Sequence, residues 1–182
     1  MGNAAAGAGI SELMRGNTDV ARKWFARAVE RYRESWEDAP PGSWGRPIGM
    51  LKADVLAGDW DGASHDAQWT LEQGAAESES PIGRYAACLA LLVLGRDEEA
   101  RVLADGLRNR DDFPAAVGDA VAMLAAQDVV GYIEAIEAVL ESFETRDAYL
   151  EDLPVADTVM VLQELAARRE MSAELSSPLL PG

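Results

Sequence analysis

Apolar residues along this chain recur at three- and four-residue intervals and nowhere alternate as a strand would. From Asp19 to Trp36, the residues Ala21, Trp24, Phe25, Ala28 and Tyr32 fall on one helical face. Arg22, Lys23, Arg27, Glu30, Arg31 and Glu34 occupy the rest of that turn pattern. Near the other end, Val155, Val159, Leu162, Leu165 and Ala166 make a second stripe of the same period. The longest apolar run, Ala86 to Leu94, has the length of a buried helix and is far short of a membrane span. The pattern predicts an all-α chain, with helices over about 4–15, 19–36, 47–57, 60–73, 81–94, 97–109, 114–126, 129–143 and 155–169. Pro and Gly mark a loop at 38–46, and Gly74 to Ser80 reads as another.

Three short stretches between these helices read G-x-x-[DE]-x-A. They are Gly16-Asn17-Thr18-Asp19-Val20-Ala21, Gly58-Asp59-Trp60-Asp61-Gly62-Ala63 and Gly95-Arg96-Asp97-Glu98-Glu99-Ala100. A Gly in the left-handed conformation ends one helix, and acids in the first turn of the next complement its dipole. The following Ala lets the two helices cross closely. A fourth turn is read at Gln127-Asp128, followed by Tyr132, Ile136 and Val139. Pro47-Ile48-Gly49 and Pro81-Ile82-Gly83 both open a first helix, where Pro is at home. The unequal distances from Pro to the turn Gly predict that the third pair gains about one helical turn at its front.

This pattern resembles the tetratricopeptide repeat, a helix–turn–helix unit of about 34 residues. In that family a Gly-Asp turn is followed by Ala, a large aromatic and a second Ala. Gly16-Asn17, Ala21, Phe25 and Ala28 follow that order, and the later copies drift from it. Turn-to-turn spacings of 42, 37 and 32 residues make the chain similar to a degenerate member of the superfamily. The resemblance implies one domain over 1–182 of stacked antiparallel helical hairpins at about 3–36, 47–73, 81–109 and 114–143. A capping helix at about 155–169 and a tail at 170–182 complete it. It also implies a concave face, lined by the first helix of each pair, that binds a protein or peptide. On this chain Ile48, Lys52, Tyr85 and Leu89 map to that face, with Val117 and Val121 further on. The face is either open or filled by the chain's own C-terminal helix.

Charge narrows the partners. Thirty-two acids face sixteen bases, a net charge of −16. Residues 121–182 carry twelve acids against Arg146, Arg168 and Arg169 alone. Such a surface argues against nucleic acid and anionic membranes. It serves either as a solvated coat or as a docking face for a basic partner. Homo-oligomers remain open. One cysteine, Cys88, leaves no internal disulfide and fits a reducing, cytoplasmic setting, and no secretion signal is visible. The Met1-Gly2-Asn3 start lacks the hydroxyl residue of a myristoylation site, since Ala6 stands there, and reads as an Ala-rich helix.

Candidate chemistry is sparse. Cys88 sits in the apolar run and reads as a small core residue, while His65 reads as an exposed helix histidine. No metal, cofactor or catalytic motif is present, and the acids read as helix starts and exposed faces. All five tryptophans lie in the first 69 residues. Trp24 and Trp60 are assigned to core or turn positions. Trp44, in the Gly-rich loop beside Arg46, is the candidate binding anchor, or else a plug that pins the loop to the domain. The expectation is a non-catalytic interaction module binding at Trp44, Arg46, Ile48, Lys52, Tyr85 and Leu89. The alternatives are a small-molecule binder or enzyme with its site in the groove, and an immunity protein of a bacterial toxin system. The last rests on acidity and helical class alone.

Overall fold

The computed structural model describes all 182 residues and contains no strand. Nine α-helices run in order: α1 Gly2–Met14, α2 Thr18–Glu37, α3 Gly45–Ala57, α4 Trp60–Glu72, α5 Pro81–Val93, α6 Asp97–Leu107, α7 Ala115–Ala125, α8 Val129–Glu144 and α9 Asp157–Ala167. A single 3-10 turn, Leu150–Asp152, precedes α9. From α1 to α8 each helix packs on the next. In addition α1 lies beside α3 and α3 beside α5, so these three helices share one side. α9 breaks the sequence: it crosses that side and packs on α3, α7 and α8.

The turns explain why the helices end where they do. Gly16, Gly58 and Gly95 take φ of 78, 69 and 70°, and Gln127 takes 55° in the fourth turn. Each turn closes with the same pair of hydrogen bonds, as in Asn17 N–H to the Glu12 carbonyl and Gly16 N–H to the Leu13 carbonyl. The pair recurs at Asp59/Gly58, Arg96/Gly95 and Asp128/Gln127. A fifth copy closes α9, with Met171 bonded to Ala166, Glu170 to Ala167 and φ 57° at Glu170. No glycine marks it; burial of Met171 supplies the apolar contact such a turn favours. Acids occupy the first turns of α2, α4 and α6 as expected. The Asp59 and Asp128 side chains cap α4 and α8 by accepting from the backbone N–H of Gly62 and Gly131 at 2.9 and 3.0 Å.

One expectation about length fails. α3 and α5 are both 13 residues, because α3 starts two residues before Pro47. Pro47 therefore sits third in its helix, still within the first turn where a missing N–H breaks no bond. The third pair gains no extra turn.

Small residues set how closely the helices approach. Ala21, Ala63 and Ala100 are all buried at their crossings. On α1, a Cβ at Gly2 would stand 2.5 Å from the Tyr32 ring, and one at Gly9 would stand 2.7 Å from Phe25. Gly49 on α3 meets the other side of the Tyr32 ring at 2.5 Å. α2 thus drives two aromatic rings into glycine faces of its neighbours. Two main apolar cores result, one around α1–α3 and a larger one from α3 to the C-terminus, with a small third cluster of Trp44, Ala75, Ala86 and Ala87. α9 joins the two main cores: Val159, Leu162 and Leu165 belong to the larger, Met160 to the smaller. Burying each such side chain contributes roughly 1.5–3 kcal/mol. Trp24 departs from its expected place, being 36% exposed with the Arg27 guanidinium over its ring.

Candidate functional site

α9 packs across α3, α7 and α8, so the chain itself covers this side of α3. At one end Lys52 of α3 donates to Asp157 Oδ2 and Thr158 Oγ1, both at 2.9 Å, in the first turn of α9. Burial opposes the charge on Lys52, but the Asp157 carboxylate outweighs it and holds the ammonium above its ordinary range. At the other end Arg169 grips the α5–α6 turn. It donates to both Asp97 oxygens at 2.9 and 2.5 Å and to the Leu92 carbonyl at 2.7 Å. Burial works against Asp97 ionising, yet hydrogen bonds from Arg169 and Gln127 prevail and lower its titration. These two pairs are largely buried and lie at opposite ends of α9, so they set its direction as well as its position.

The tail then clasps the helix. Gln163 donates to the Ala173 carbonyl at 2.6 Å and accepts from Ala173 N–H at 3.1 Å and from Tyr132 at 3.0 Å. Ala156 N–H donates to the Leu179 carbonyl at 3.0 Å, with Leu179 buried. The tail therefore returns to the start of α9. A cleft of about 440 Å³ is left between this tail, α9 and the ends of α1 and α3.

The residues picked out in the sequence separate into two groups. Ile48 and Lys52 line a cleft of about 260 Å³ with Asn3, Tyr32 and Asp157. Trp44 and Arg46 line an adjoining cleft of about 390 Å³ that shares Asn3 and Tyr32. Tyr32 donates to Asn3 Oδ1 at 2.7 Å, and burial pushes its phenol up to about 12 against the pull of Lys52. Tyr85 and Leu89 join neither cleft; both are buried in the larger core, and the Tyr85 hydroxyl has no hydrogen-bond partner. Trp44 is the plug rather than the free anchor: it is 8% exposed, 5.5 Å from the Trp36 ring and against Gly83 of α5. Arg46 donates to Ser35 Oγ at 3.0 Å.

Two acids sit neither at a helix start nor on an exposed face. Asp54 of α3 and Asp66 of α4 are 5% and 3% exposed. Arg33 donates to Asp66 Oδ1, and His65 Nδ1 lies 3.0 Å from the same oxygen. Asp54 Oδ2 meets no donor while both carboxyls are ionised. Burial first, and the neighbouring Asp66 second, push Asp54 up to about 8, so a proton held on Asp54 serves the pair. The available sequence signal for Asp54 was an acid flanked by Ala53 and Val55 in a mostly apolar helix.

Cys88 and His65 do not face each other. Cys88 is buried in α5 with its thiol pushed up to about 12 by burial, whereas the His65 side chain is 73% exposed on α4. No three His, Cys, Asp or Glu side chains converge as a metal site would require. No helix is long and apolar enough to cross a membrane. No protein-family model matches the chain, and neither does any curated protein or solved structure.

Proposed function

We propose that the protein is a non-catalytic, tetratricopeptide-like interaction module whose concave face takes a helical segment of a partner protein. One observation carries this reading. The chain's own α9 lies along that face, held by Lys52 at its first turn and by Asp97 just beyond its last. A surface that seats one amphipathic helix in a defined direction has the shape and the charge markers to seat another. The buried apolar residues of α9 supply the model for the ligand: Val159, Leu162, Leu165 and Ala166 at helical spacing. The acidic coat outside the groove, including Glu134, Glu137 and Glu141 on α8, suits a partner with a basic flank.

Cross-linking of the native chain to co-purifying proteins tests this. Partner cross-links are expected on the inner sides of α3, α5 and α7, and more of them with Arg169→Ala, which loosens α9. Cross-links confined to the outer helices, or unchanged in the variant, argue against it.

A small-molecule site is the second reading. The 260 Å³ cleft favours it, because Asn3, Tyr32, Lys52 and Asp157 meet there beside apolar walls. Its ligand has an apolar body and one polar head. Asn3→Ala, which leaves both anchors of α9 in place, should weaken such binding without moving partner cross-links.

A further inference from the structure

We propose that two copies of this chain exchange their C-terminal segments, so that each concave face holds the partner's α9 and tail. The inference rests on the reading of that face as helix-binding, and it names the occupant.

The segment is separable. Gln163 to Ala173 and Ala156 to Leu179 are contacts within it, and they travel with it when it leaves. Its polar contacts to the rest of the chain include Lys52 with Asp157 and Thr158, Arg169 with Asp97 and Leu92, and Gln163 with Tyr132. A second copy remakes all of these, and the apolar burial, without a change of residue. A foreign helix has to displace a ligand tethered at an effective concentration of about millimolar. The α9 of a second copy meets the same tether, but the segment it releases is itself rehoused in the other groove.

The connection between α8 and α9 is built to open. Thr145 to Asp152 is exposed except for the half-buried Tyr149. Within it Glu151 and Asp152 are consecutive and have φ of 52 and 55°. No other adjacent pair in the chain has positive φ, and neither residue is glycine. Side chains with a Cβ are strained in that region, and an extended hinge releases both. The connector from 145 to 156, fully extended, spans about 40 Å, enough to reach a neighbouring groove. Closed monomers prevail when dilute, and exchange grows with concentration.

Charge reversal tests the exchange. Asp97→Arg sets two bases together at the end of the groove, and Arg169→Asp sets two acids there. Each change alone weakens docking in its own chain. In a mixture refolded together, each groove meets an α9 end of opposite sign only across chains. Light scattering should then show a species at twice the 19.5 kDa of one chain, absent from either variant alone. The double variant should behave as the wild type does. A mixture that stays monomeric overturns the exchange. If that mixture still binds a synthetic peptide of residues 153–182, the helix-binding reading stands; if it does not, both fall. Should the variants fail to fold, a concentration series of the wild-type chain decides. Replacing Glu151 and Asp152 by glycine relieves the hinge and should cut the dimer fraction about fivefold or more. An unchanged fraction, or no dimer at any concentration, overturns the proposal.

Discussion

Replacing Asp54 by Asn should make the protein more resistant to raised pH, by an amount that follows from where the carboxyl sits. Asp54 is 5% exposed, its Oδ2 lacks a donor when ionised, and Asp66 lies beside it. Burial and that neighbour raise its titration from 3.8 in the unfolded chain to about 8 in the folded one. Between those two values the folded state holds a proton that the unfolded state has released. Stability therefore falls as pH rises across that window, by up to about 1.4 kcal/mol per pH unit. Below the window both states are protonated and the group contributes nothing. Above it both are ionised, and the full cost of a buried charge is in place. Asn is neutral throughout, matches the protonated acid in shape, and keeps a donor toward Asp66. The difference in stability between variant and wild type should then grow with pH, by about 3 kcal/mol between pH 5 and pH 7. Taking the difference removes the contributions of the other charged groups, so long as their surroundings are unchanged. Urea unfolding at four pH values, followed by tryptophan fluorescence, measures it. Parallel curves, with a constant gap from pH 5 to pH 8, would refute the claim that Asp54 carries a proton in the folded protein.

The turns and the glycine faces give further expectations. Gly95→Ala should cost about 1 kcal/mol in thermal unfolding: no atom stands within 4 Å of its absent Cβ, so the penalty is purely that of φ 70°. Glu170→Gly, at an exposed position with φ 57°, should go the other way and stabilise by about 0.5–1 kcal/mol; a loss of stability there would count against the fifth turn. Gly9→Ala meets the Phe25 ring at 2.7 Å and should destabilise by about 1–3 kcal/mol, with Phe25→Leu in the same chain recovering part of it. A Gly9→Ala protein as stable as the wild type would show that α1 and α2 are further apart than described.

Local chemistry along the chain was enough to place the helices. Gly16, Gly58 and Gly95 each need only their own backbone to end a helix, and an acid in the next first turn acts over a few ångströms. Periodicity likewise marked the faces of α2 and α9, though Trp24 shows that a position on the apolar side need not be buried. Features that arise between distant segments were not legible. The stripe on α9 called for a partner, but any apolar face satisfies such a stripe. Only the arrangement of Lys52 near Asp157 and of Asp97 near Arg169 decides that α3, α7 and α8 receive it. The fifth turn has no glycine to mark it, because Glu170 is held in place by Met171 packing and not by its own preference. Asp54 and Asp66 looked like ordinary acids for the same reason, since burial belongs to the packed helices and not to the residue. The helices, their ends and the acidic coat follow from interactions within a few residues, which the sequence contains directly. Which face is covered, which acids lose their water and which tryptophan is a plug depend on contacts between segments far apart in the chain, and those exist only once it has folded.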